Sequence, residues 1–366
     1  MTESARQPVR VVFVSDATPE RNGVGAYYCD LAAQLDPTEF DCLGVGPGGP
    51  VKSWLCLPLP GDATQAVVVP SPGDFSHTLK AHRPDVVVCA TPGPFGLLGA
   101  RWAWRNRIRL LIGFHTDYAA VTDVYGHPLL RALSRRYCRW VDRWMFRRAE
   151  QVLGNSEPMI ELAQALGARQ TARIGTLLPP GVLETPVSPP RPELRRVLFA
   201  GRLAPEKRLE QVLEAARCLP GLHFVIAGEG PLRAEVEHAA AELDNLDYTG
   251  WLSRAELLAQ MDASDVLVLP SELESFGSVA LEAMARQRLV CVTETCGIAN
   301  WPELAEHLIV FERATPLHTV LTSLLAEPEA GRLARARAGG HAAHRLNARS
   351  LSEWQMLLRS TAETGS

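Results

Sequence analysis

Apolar and polar positions along the chain follow one scheme twice: a short, nearly continuous apolar run, a turn, and an amphipathic stretch of helical period. We predict strands at these apolar runs, which cover 9–15, 84–90, 109–115, 150–156, 195–202, 223–230, 246–251, 265–271 and 289–294. Runs that are apolar on both faces are typical of parallel strands covered by helices on both sides. The pattern therefore predicts an α/β protein built on parallel sheets.

A proline-rich stretch without periodicity, LLPPGVLETPVSPPRPEL over 177–194, separates the two arrays. Such segments favour loops. We predict a Rossmann-like N-terminal domain over 1–180, a linker over 181–194 and a second Rossmann-like domain over 195–345, with the two domains facing a cleft. The last segment, 346–366, is predicted to form a helix whose apolar stripe allows it to return to the first domain.

The composition is that of a globular enzyme and limits its partners. Hydrophobic residues make up 46% and charged residues 21% of the 366 positions, which is too apolar for a disordered chain. The formal net charge of −4 argues against nucleic acid as a partner. Eight scattered cysteines without a CxxC pair, and an N-terminus without a signal-like apolar run, predict a reduced cytoplasmic chain without a zinc site.

The stretch SELESFGSVALEAMA, residues 271–285, follows a predicted strand and contains two glutamates separated by a Phe-Gly-Ser corner. Gly277 and Ser278 are expected to begin a helix, where free N–H groups and the helix dipole favour a phosphate. Glu274 precedes that helix and Glu282 lies inside it, and dinucleotide-binding folds use an acid in this region to hold a ribose. Taken alone, the stretch also fits two solvated glutamates at a helix end.

A second candidate cluster is FAGRLAPEKR, residues 199–208, which again follows a predicted strand. Arg202 and Lys207 provide two cations at a turn between strand and helix, and this pairing suits a diphosphate because arginine offers a fork of donors and lysine a point charge. An ordinary charged surface loop is the alternative.

The segments GRLAPEK, AGEGPLR and YTGWLSRAELLAQMDASDVLVLPSELESFGSVALEAMA, in this order, resemble the retaining GT-B glycosyltransferases of glycosyltransferase family 4. The resemblance is dense over 195–300 and looser before it. It implies that Glu274 holds the hydroxyls of the donor sugar, that Glu282 holds the ribose, and that Arg202 and Lys207 neutralise the leaving diphosphate. The donor-binding residues that it implies are Gly23, Gly25, Gly201, Arg202, Lys207, Glu274, Phe276, Gly277, Ser278, Val279 and Glu282.

Two N-terminal features extend the resemblance. ERNGVGAYYCDLA matches the family's glycine loop after the first strand, in which Gly23 and Gly25 permit close backbone approach; a purely structural turn is the alternative. GFHTDY, residues 113–118, resembles the strand end of members that glycosylate lipids. The resemblance places His115 at the reaction centre as a catalytic residue with Arg202, Lys207 and Glu274, and makes His115, Asp117 and Tyr118 candidates on the acceptor side. A lone histidine at a strand end is also common as a hydrogen-bonded core residue.

The reaction implied by the resemblance is transfer with retention at the anomeric carbon, by front-side attack in which the departing phosphate takes the proton of the acceptor. Cations stabilise the developing charge, so we expect neither a metal nor a cofactor beyond the nucleotide sugar. The chain departs from the family pattern at Gln287 and Leu289, where glycine and proline are usual, and near Gly297, where a second glycine is missing. These departures bear on the donor, for which UDP-hexose and GDP-mannose both remain open.

Residues 101–150 contain eleven arginines, no lysine and four acidic residues, a local charge of +7. Within them, the segment from Arg131 to Arg148 is predicted as a helix in which arginines recur every four residues and apolar residues recur at helical spacing: Leu130, Leu133, Tyr137, Trp140, Val141 and Trp144. Basic helices bearing aromatic residues are typical of membrane surfaces. Packing of the apolar stripe on the first sheet is the alternative.

We therefore predict an enzyme: a retaining glycosyltransferase that transfers a hexose from a nucleotide sugar, with UDP as the commonest carrier, to a lipid or lipid-linked acceptor. It is expected to be cytoplasmic or peripheral on the cytoplasmic membrane face. A soluble sugar or small-molecule acceptor is the main alternative, and a GT-B epimerase or hydrolase a further one. The first glycine turn lacks a full GxGxxG, which disfavours a dehydrogenase.

Overall fold

The computed structural model describes residues 7–18, 23–59, 62–122 and 128–363. Internal contacts divide the chain into a first unit, Met1–Leu177 with Ala348–Ser366, and a second unit, Leu178–Asn347.

In the first unit, the first strand along the chain is the hydrophobic β1 and the last is the short β8. Its strands are β1 Val9–Val14, β2 Phe40–Val45, β3 Ser53–Leu59, β4 Asp62–Pro70, β5 Val86–Cys89, β6 Arg109–Phe114, β7 Gln151–Gly154 and β8 Thr171–Arg173. Its helices are α1 Gly23–Gln34, α2 Pro72–His82, α3 Pro94–Asn106, α4 Tyr118–Thr122, α5 Pro128–Phe146 and α6 Glu157–Ala165.

The second unit repeats the alternation. Its strands are β9 Arg196–Ala200, β10 His223–Ala227, β11 Leu246–Gly250, β12 Val266–Leu269, β13 Leu289–Thr293 and β14 Ile309–Phe311. Its helices are α7 Pro180–Glu184, α8 Leu209–Cys218, α9 Arg233–Glu242, α10 Arg254–Ala263, α11 Ser278–Ala285, α12 Pro302–Ala305 and α13 Leu317–Ala326. The helix α14 Glu329–Glu363 starts in the second unit and finishes in the first.

Each unit is built on a six-stranded sheet whose described pairings are all parallel. The strand order is β2-β1-β5-β6-β7-β8 in the first unit and β11-β10-β9-β12-β13-β14 in the second. In each sheet the chain leaves its first strand toward one side and later returns to the other side, which is the doubly wound arrangement. The predicted α/β class with Rossmann-like sheets is confirmed. β3 and β4 form a separate antiparallel pair that the apolar pattern did not predict.

The segment 181–194, predicted as a linker, is part of the second unit. Val182 and Leu194 are buried in its hydrophobic core. The guanidinium of Arg286, which is fully buried, donates to the carbonyl oxygens of Thr185 at 2.7 Å and Pro186 at 2.6 Å, and it pairs with Asp262. This segment is therefore fastened to the sheet rather than free.

The end of α14 packs in the first unit. Trp354 and Leu358 are fully buried with Val11 and Leu31 in the core on one face of the sheet. The indole N–H of Trp354 donates to the hydroxyl of Tyr27 at 2.6 Å. The C-terminal helix thus completes the first unit. Among the helices of the described residues, no segment has both the length and the apolar character needed to cross a membrane.

Candidate active site

The candidate donor site lies at the carboxyl edge of the second sheet, on either side of the point where β9 meets β12. Ligands of doubly wound sheets bind at such a switch point. The loop after β9 contains Arg202 and Lys207, and the loop after β12 contains Glu274. The backbone N–H of Glu272 donates to the carbonyl oxygen of Glu206 at 2.8 Å and so joins the two loops.

Lys207 and Glu274 form an ion pair across these loops. The ammonium of Lys207 donates to Oε2 of Glu274, and the two side chains are only 16% and 19% exposed. Desolvation by itself lowers the pKa of Lys207, but the carboxylate of Glu274 more than offsets it, so the pKa is raised above the ordinary value. Lys207 is therefore cationic near neutral pH and is held by the carboxylate of Glu274.

The other two charged candidates flank this pair in the chain. Arg202 lies five residues before Lys207, with its Nη1 atom 3.6 Å from Oε1 of Glu206. Glu282 is half-buried inside α11, in the turn after the start of that helix. Arg202 shares the loop after β9 with Lys207, and Glu282 lies on the helix that follows the loop of Glu274.

The start of α11 offers an anion site of backbone donors. Gly277 precedes the helix with φ +92°, a left-handed conformation that favours glycine, and a Cβ there would lie 2.9 Å from Sγ of Cys296. Because glycine has no capping side chain, no side chain among the described residues caps the first-turn N–H groups of Ser278 and Val279, and such groups favour an anion. Phe276 is buried against Trp301, at 6.2 Å between ring centroids, and anchors the loop from the core side.

Two further glycines allow the site loops to pack against one another. A Cβ on Gly228 would lie 1.9 Å from the carbonyl oxygen of Gly201, and one on Gly297 would lie 1.9 Å from that of Ser275. The N–H of Gly297 also donates to the carbonyl oxygen of Glu274 at 2.9 Å. The AGEG turn, residues 227–230, is therefore part of what positions the loop of Arg202 and Lys207.

In the first unit, His115 follows β6 and is buried, with 7% of its surface exposed. Its Nε2 atom shares a hydrogen bond of 2.7 Å with the hydroxyl of Tyr28, and its ring packs on Tyr27 at 4.8 Å. Burial lowers the pKa of His115 to about 4, so the imidazole is neutral near pH 7. The described contacts are those of a hydrogen-bonded core histidine.

Asp117 and Tyr118 begin the short helix α4. Oδ1 of Asp117 accepts from the N–H groups of Ala119 and Ala120 at 3.1 and 3.2 Å, and Oδ2 accepts from Arg139 at 2.7 Å. Asp117 therefore caps α4 and ties it to α5. Tyr118 is half-buried, and burial raises the pKa of its hydroxyl.

The two N-terminal glycines differ in their surroundings. A Cβ on Gly25 would lie 2.6 Å from the carbonyl oxygen of Ala17, so α1 needs this glycine to pack against the loop after β1. Gly23, the first residue of α1, faces open space. The preceding residues 19–22 of the glycine motif lie outside the described residues.

Two carboxylates of the first unit with raised pKa values, the half-buried Asp16 and the buried Asp142, were missed by the sequence analysis. Asp16 follows β1 and accepts from the N–H groups of Phe95 at 2.6 Å and Gly96 at 3.0 Å at the start of α3. Desolvation raises the pKa of Asp16 to about 6. Asp142, on the inner face of α5, is 3% exposed, and desolvation raises its pKa to about 7. The position of Asp16 directly after the first strand was the signal available.

Helix α5 presents apolar side chains on two sides. Val141 and Met145 are buried against the first sheet, whereas Leu133, Tyr137 and Trp140 are 64%, 46% and 56% exposed. We name these last three residues the α5 apolar stripe. The exposed arginines Arg136 and Arg143 lie on the same helix. The side chain of Arg131, where the basic segment was predicted to begin, lies outside the described residues.

Within the described residues, one group of side chains has the geometry to hold a metal ion. Glu214 and Cys218 on α8 and His318 on α13 place their ligand atoms within 4.8 Å of one another. The group lies on helices rather than on the loops of Lys207 and Glu274, so it takes no part in the candidate site.

Comparison with known proteins gives matches along most of the chain. The model of "Glycosyltransferase Family 4" matches residues 21–182, and that of "Glycosyl transferases group 1" matches residues 184–338. The alpha-D-kanosaminyltransferase of Streptomyces kanamyceticus is 27% identical over 71% of this chain and 84% of its own length. The 2-deoxystreptamine glucosyltransferase of the same organism is 32% identical over 58% of this chain and 60% of its own length.

Among solved structures, sucrose-phosphate synthase from Thermosynechococcus elongatus superposes with a TM-score of 0.73 over 99% of this chain and 100% of that one, at 18% identity. At this identity the likeness concerns the fold.

Proposed function

The chain belongs to the group 1 glycosyltransferases of glycosyltransferase family 4, and on this premise we propose that it transfers a hexose from a nucleotide sugar, with retention, to a lipid or lipid-linked acceptor. The observation that supports the donor half of the proposal is the Lys207–Glu274 ion pair beside the uncapped start of α11. A cation, a carboxylate and backbone N–H donors thus lie together at the switch point of one sheet.

In this proposal donor binding exchanges the partners of the ion pair. The ammonium of Lys207 turns to the diphosphate, the carboxylate of Glu274 accepts from hydroxyls of the sugar, and Arg202 adds its guanidinium fork to the phosphate charge. The N–H groups of Ser278 and Val279 bind the distal phosphate. The half-buried Glu282 accepts from the ribose hydroxyls.

The proposed chemical step is front-side displacement. The bond from the anomeric carbon to the phosphate oxygen breaks while a hydroxyl oxygen of the acceptor bonds to that carbon on the same face, and its proton passes to the departing phosphate oxygen. Arg202 and Lys207 stabilise the charge that develops on the phosphate. The proposal uses no metal and no cofactor.

His115 serves this reaction as a neutral group. With its pKa lowered to about 4 by burial, it accepts or donates one hydrogen bond but holds no proton to give near neutral pH. We propose that it shapes the acceptor side together with Tyr28, while Asp117 and Tyr118 position the loop through α4.

The α5 apolar stripe supports a lipid acceptor and a membrane surface. Exposed aromatic side chains flanked by arginines suit the boundary between headgroups and acyl chains, and each basic residue near an anionic surface adds about 1 kcal/mol. Double substitution Leu133→Ser with Trp140→Ser should weaken binding to anionic vesicles. The matched control, Leu325→Ser with Met356→Ser, removes two exposed apolar side chains elsewhere and should bind as the wild type does.

A soluble acceptor is the second candidate, and the similarity to the 2-deoxystreptamine glucosyltransferase of Streptomyces kanamyceticus supports it. A screen of UDP-, GDP-, ADP- and dTDP-sugars, with and without diacylglycerol vesicles, separates the two. Turnover of one donor only with vesicles supports the lipid acceptor. Turnover independent of vesicles favours the soluble acceptor, and stabilisation by none of these donors contradicts the donor site.

A further inference from the structure

An open cavity of about 910 Å³ lies in the first unit, and its lining includes seven arginines. It is formed where α3 and α5 end and where β6 and β7 begin, so it lies at the amino edge of the sheet. β6 spans six residues, or about 20 Å at roughly 3.3 Å per residue. This cavity is therefore at the opposite end of β6 from His115 and is separate from the candidate active site.

Only two of these arginines have partners within the described part of the chain. Arg109 pairs with Glu150 at 2.6 Å. Arg148 donates to the carbonyl oxygen of Trp144 at 2.9 Å, and its guanidinium stacks on the rings of Trp144 and Trp104 at 4.2 and 4.9 Å. The remaining five have neither an ion pair nor a side-chain hydrogen bond to any described residue: Arg101, Arg105, Arg107, Arg147 and Arg169.

Helix ends explain this grouping only in part. A cation near a helix C-terminus is stabilised by the helix dipole, which accounts for Arg105 and Arg107 at the end of α3 and for Arg147 just after α5. It does not account for five unpaired guanidinium groups around one concavity, since like charges repel. Bringing these five like charges together does not stabilise the folded protein. A bound anion would attract each of them and so offset their mutual repulsion.

We propose that this cavity, the arginine cavity, binds phosphate groups of a ligand that bears more than one of them. A guanidinium fork matches two phosphate oxygens, and five unpaired forks exceed what a single phosphate can use. Arg148 and Trp104 line one wall of the cavity, and Trp144 packs on both. Two sources supply this chemistry: a soluble polyphosphorylated molecule, or the phosphate headgroups of anionic lipid.

The test uses the full chain with Lys207→Gln as background, which weakens the proposed donor phosphate site. The test variant combines Arg101→Gln, Arg105→Gln and Arg169→Gln, which spare α5 and its apolar stripe. The matched control combines Arg217→Gln, Arg337→Gln and Arg345→Gln, three exposed arginines of the second unit, and changes the net charge equally. Inorganic tripolyphosphate is titrated calorimetrically, and phosphatidylglycerol vesicles are tested by co-sedimentation against phosphatidylcholine vesicles. Thermal unfolding checks that both variants are folded.

We expect the test variant to bind tripolyphosphate at least about tenfold more weakly than the control, since each lost charged hydrogen bond costs about that factor or more. The same discrimination seen only with phosphatidylglycerol vesicles also supports the cavity and identifies the headgroup as the source. Equal binding of test and control variants to both probes overturns the proposal. Because the donor site is weakened throughout, this result does not depend on the proposed function.

Discussion

Removing the imidazole of His115 should change how the stability of the protein depends on pH. The folded protein holds this group neutral, with a pKa lowered to about 4, whereas an unfolded histidine titrates near 6.5. As the pH falls, the unfolded state therefore binds a proton before the folded state does. The stability that this group gives the wild type is complete above about pH 6.5 and is lost as the pH falls toward 4.

The size of the effect follows from the two pKa values. At about pH 4.5 an unfolded histidine is almost fully protonated and the folded one only in minor part, which corresponds to a loss of about 2.5 kcal/mol relative to pH 7.5. Asp16 and Asp142, whose pKa values are raised to about 6 and about 7, act in the opposite direction. Both aspartates are present in the wild type and in His115→Gln, so their contributions to stability cancel when the two proteins are compared.

The assay is urea unfolding of the wild type and His115→Gln at a series of pH values, followed by tryptophan fluorescence, to which the buried Trp354 contributes. The wild type should lose about 2–3 kcal/mol more than the variant between pH 7.5 and 4.5. His341→Gln, which removes an exposed histidine of α14, is the control and should follow the wild type. Parallel curves for the wild type and His115→Gln would refute the buried, neutral imidazole.

Three substitutions test the packing of the second unit by chemical denaturation. Gln287→Gly should stabilise the folded protein by about 0.5–1 kcal/mol. Gln287 has φ +57°, a backbone conformation that is less costly for glycine than for other residues. A loss of stability would show that the side-chain contacts of Gln287 outweigh this strain. Gly297→Ala should destabilise by about 2 kcal/mol or more and weaken donor binding, whereas Gly331→Ala, with open space at its Cβ, should not. Arg286→Met should cost about 3 kcal/mol, since it leaves the carboxylate of Asp262 with only the longer ion pair to Arg288 at 3.6 Å and releases the carbonyls near 185. An unchanged midpoint would contradict this.

The sheets were predictable because their strands are apolar on both faces. β1, β5 and β6, and nearly all strands of the second unit, follow continuous apolar runs, and their alternation with helices dictates parallel pairing. The β3–β4 pair was missed because Pro58 and Pro70 interrupt it and its exposed Trp54 and Leu57 give no one-sided pattern. β8 is too short and polar to be recognised.

The parts of the candidate site that depend on local sequence, such as the loops after β9 and β12, were predictable. Lys207 and Glu274 follow strands that become neighbours, so their loops had to meet at one edge. The environment of His115 was not predictable, because Tyr27 and Tyr28 reach it from α1, a distant part of the chain. Periodicity also could not tell which of two apolar sides of α5 is buried, since Val141 and Trp140 are adjacent and equally apolar.

The most direct test of the account is nucleotide release from the preferred nucleotide sugar, in the presence of acceptor, by four proteins: the wild type, Lys207→Gln, Glu274→Gln and Glu272→Gln. Glu272 lies in the same loop, is exposed and pairs with Arg313 at 3.0 Å, so it controls for the loss of a loop carboxylate. We predict that Lys207→Gln and Glu274→Gln lose at least about 100-fold in kcat/KM while remaining folded, and that Glu272→Gln turns over like the wild type. Wild-type turnover in either of the first two variants would contradict the assignment of this ion pair to the donor site.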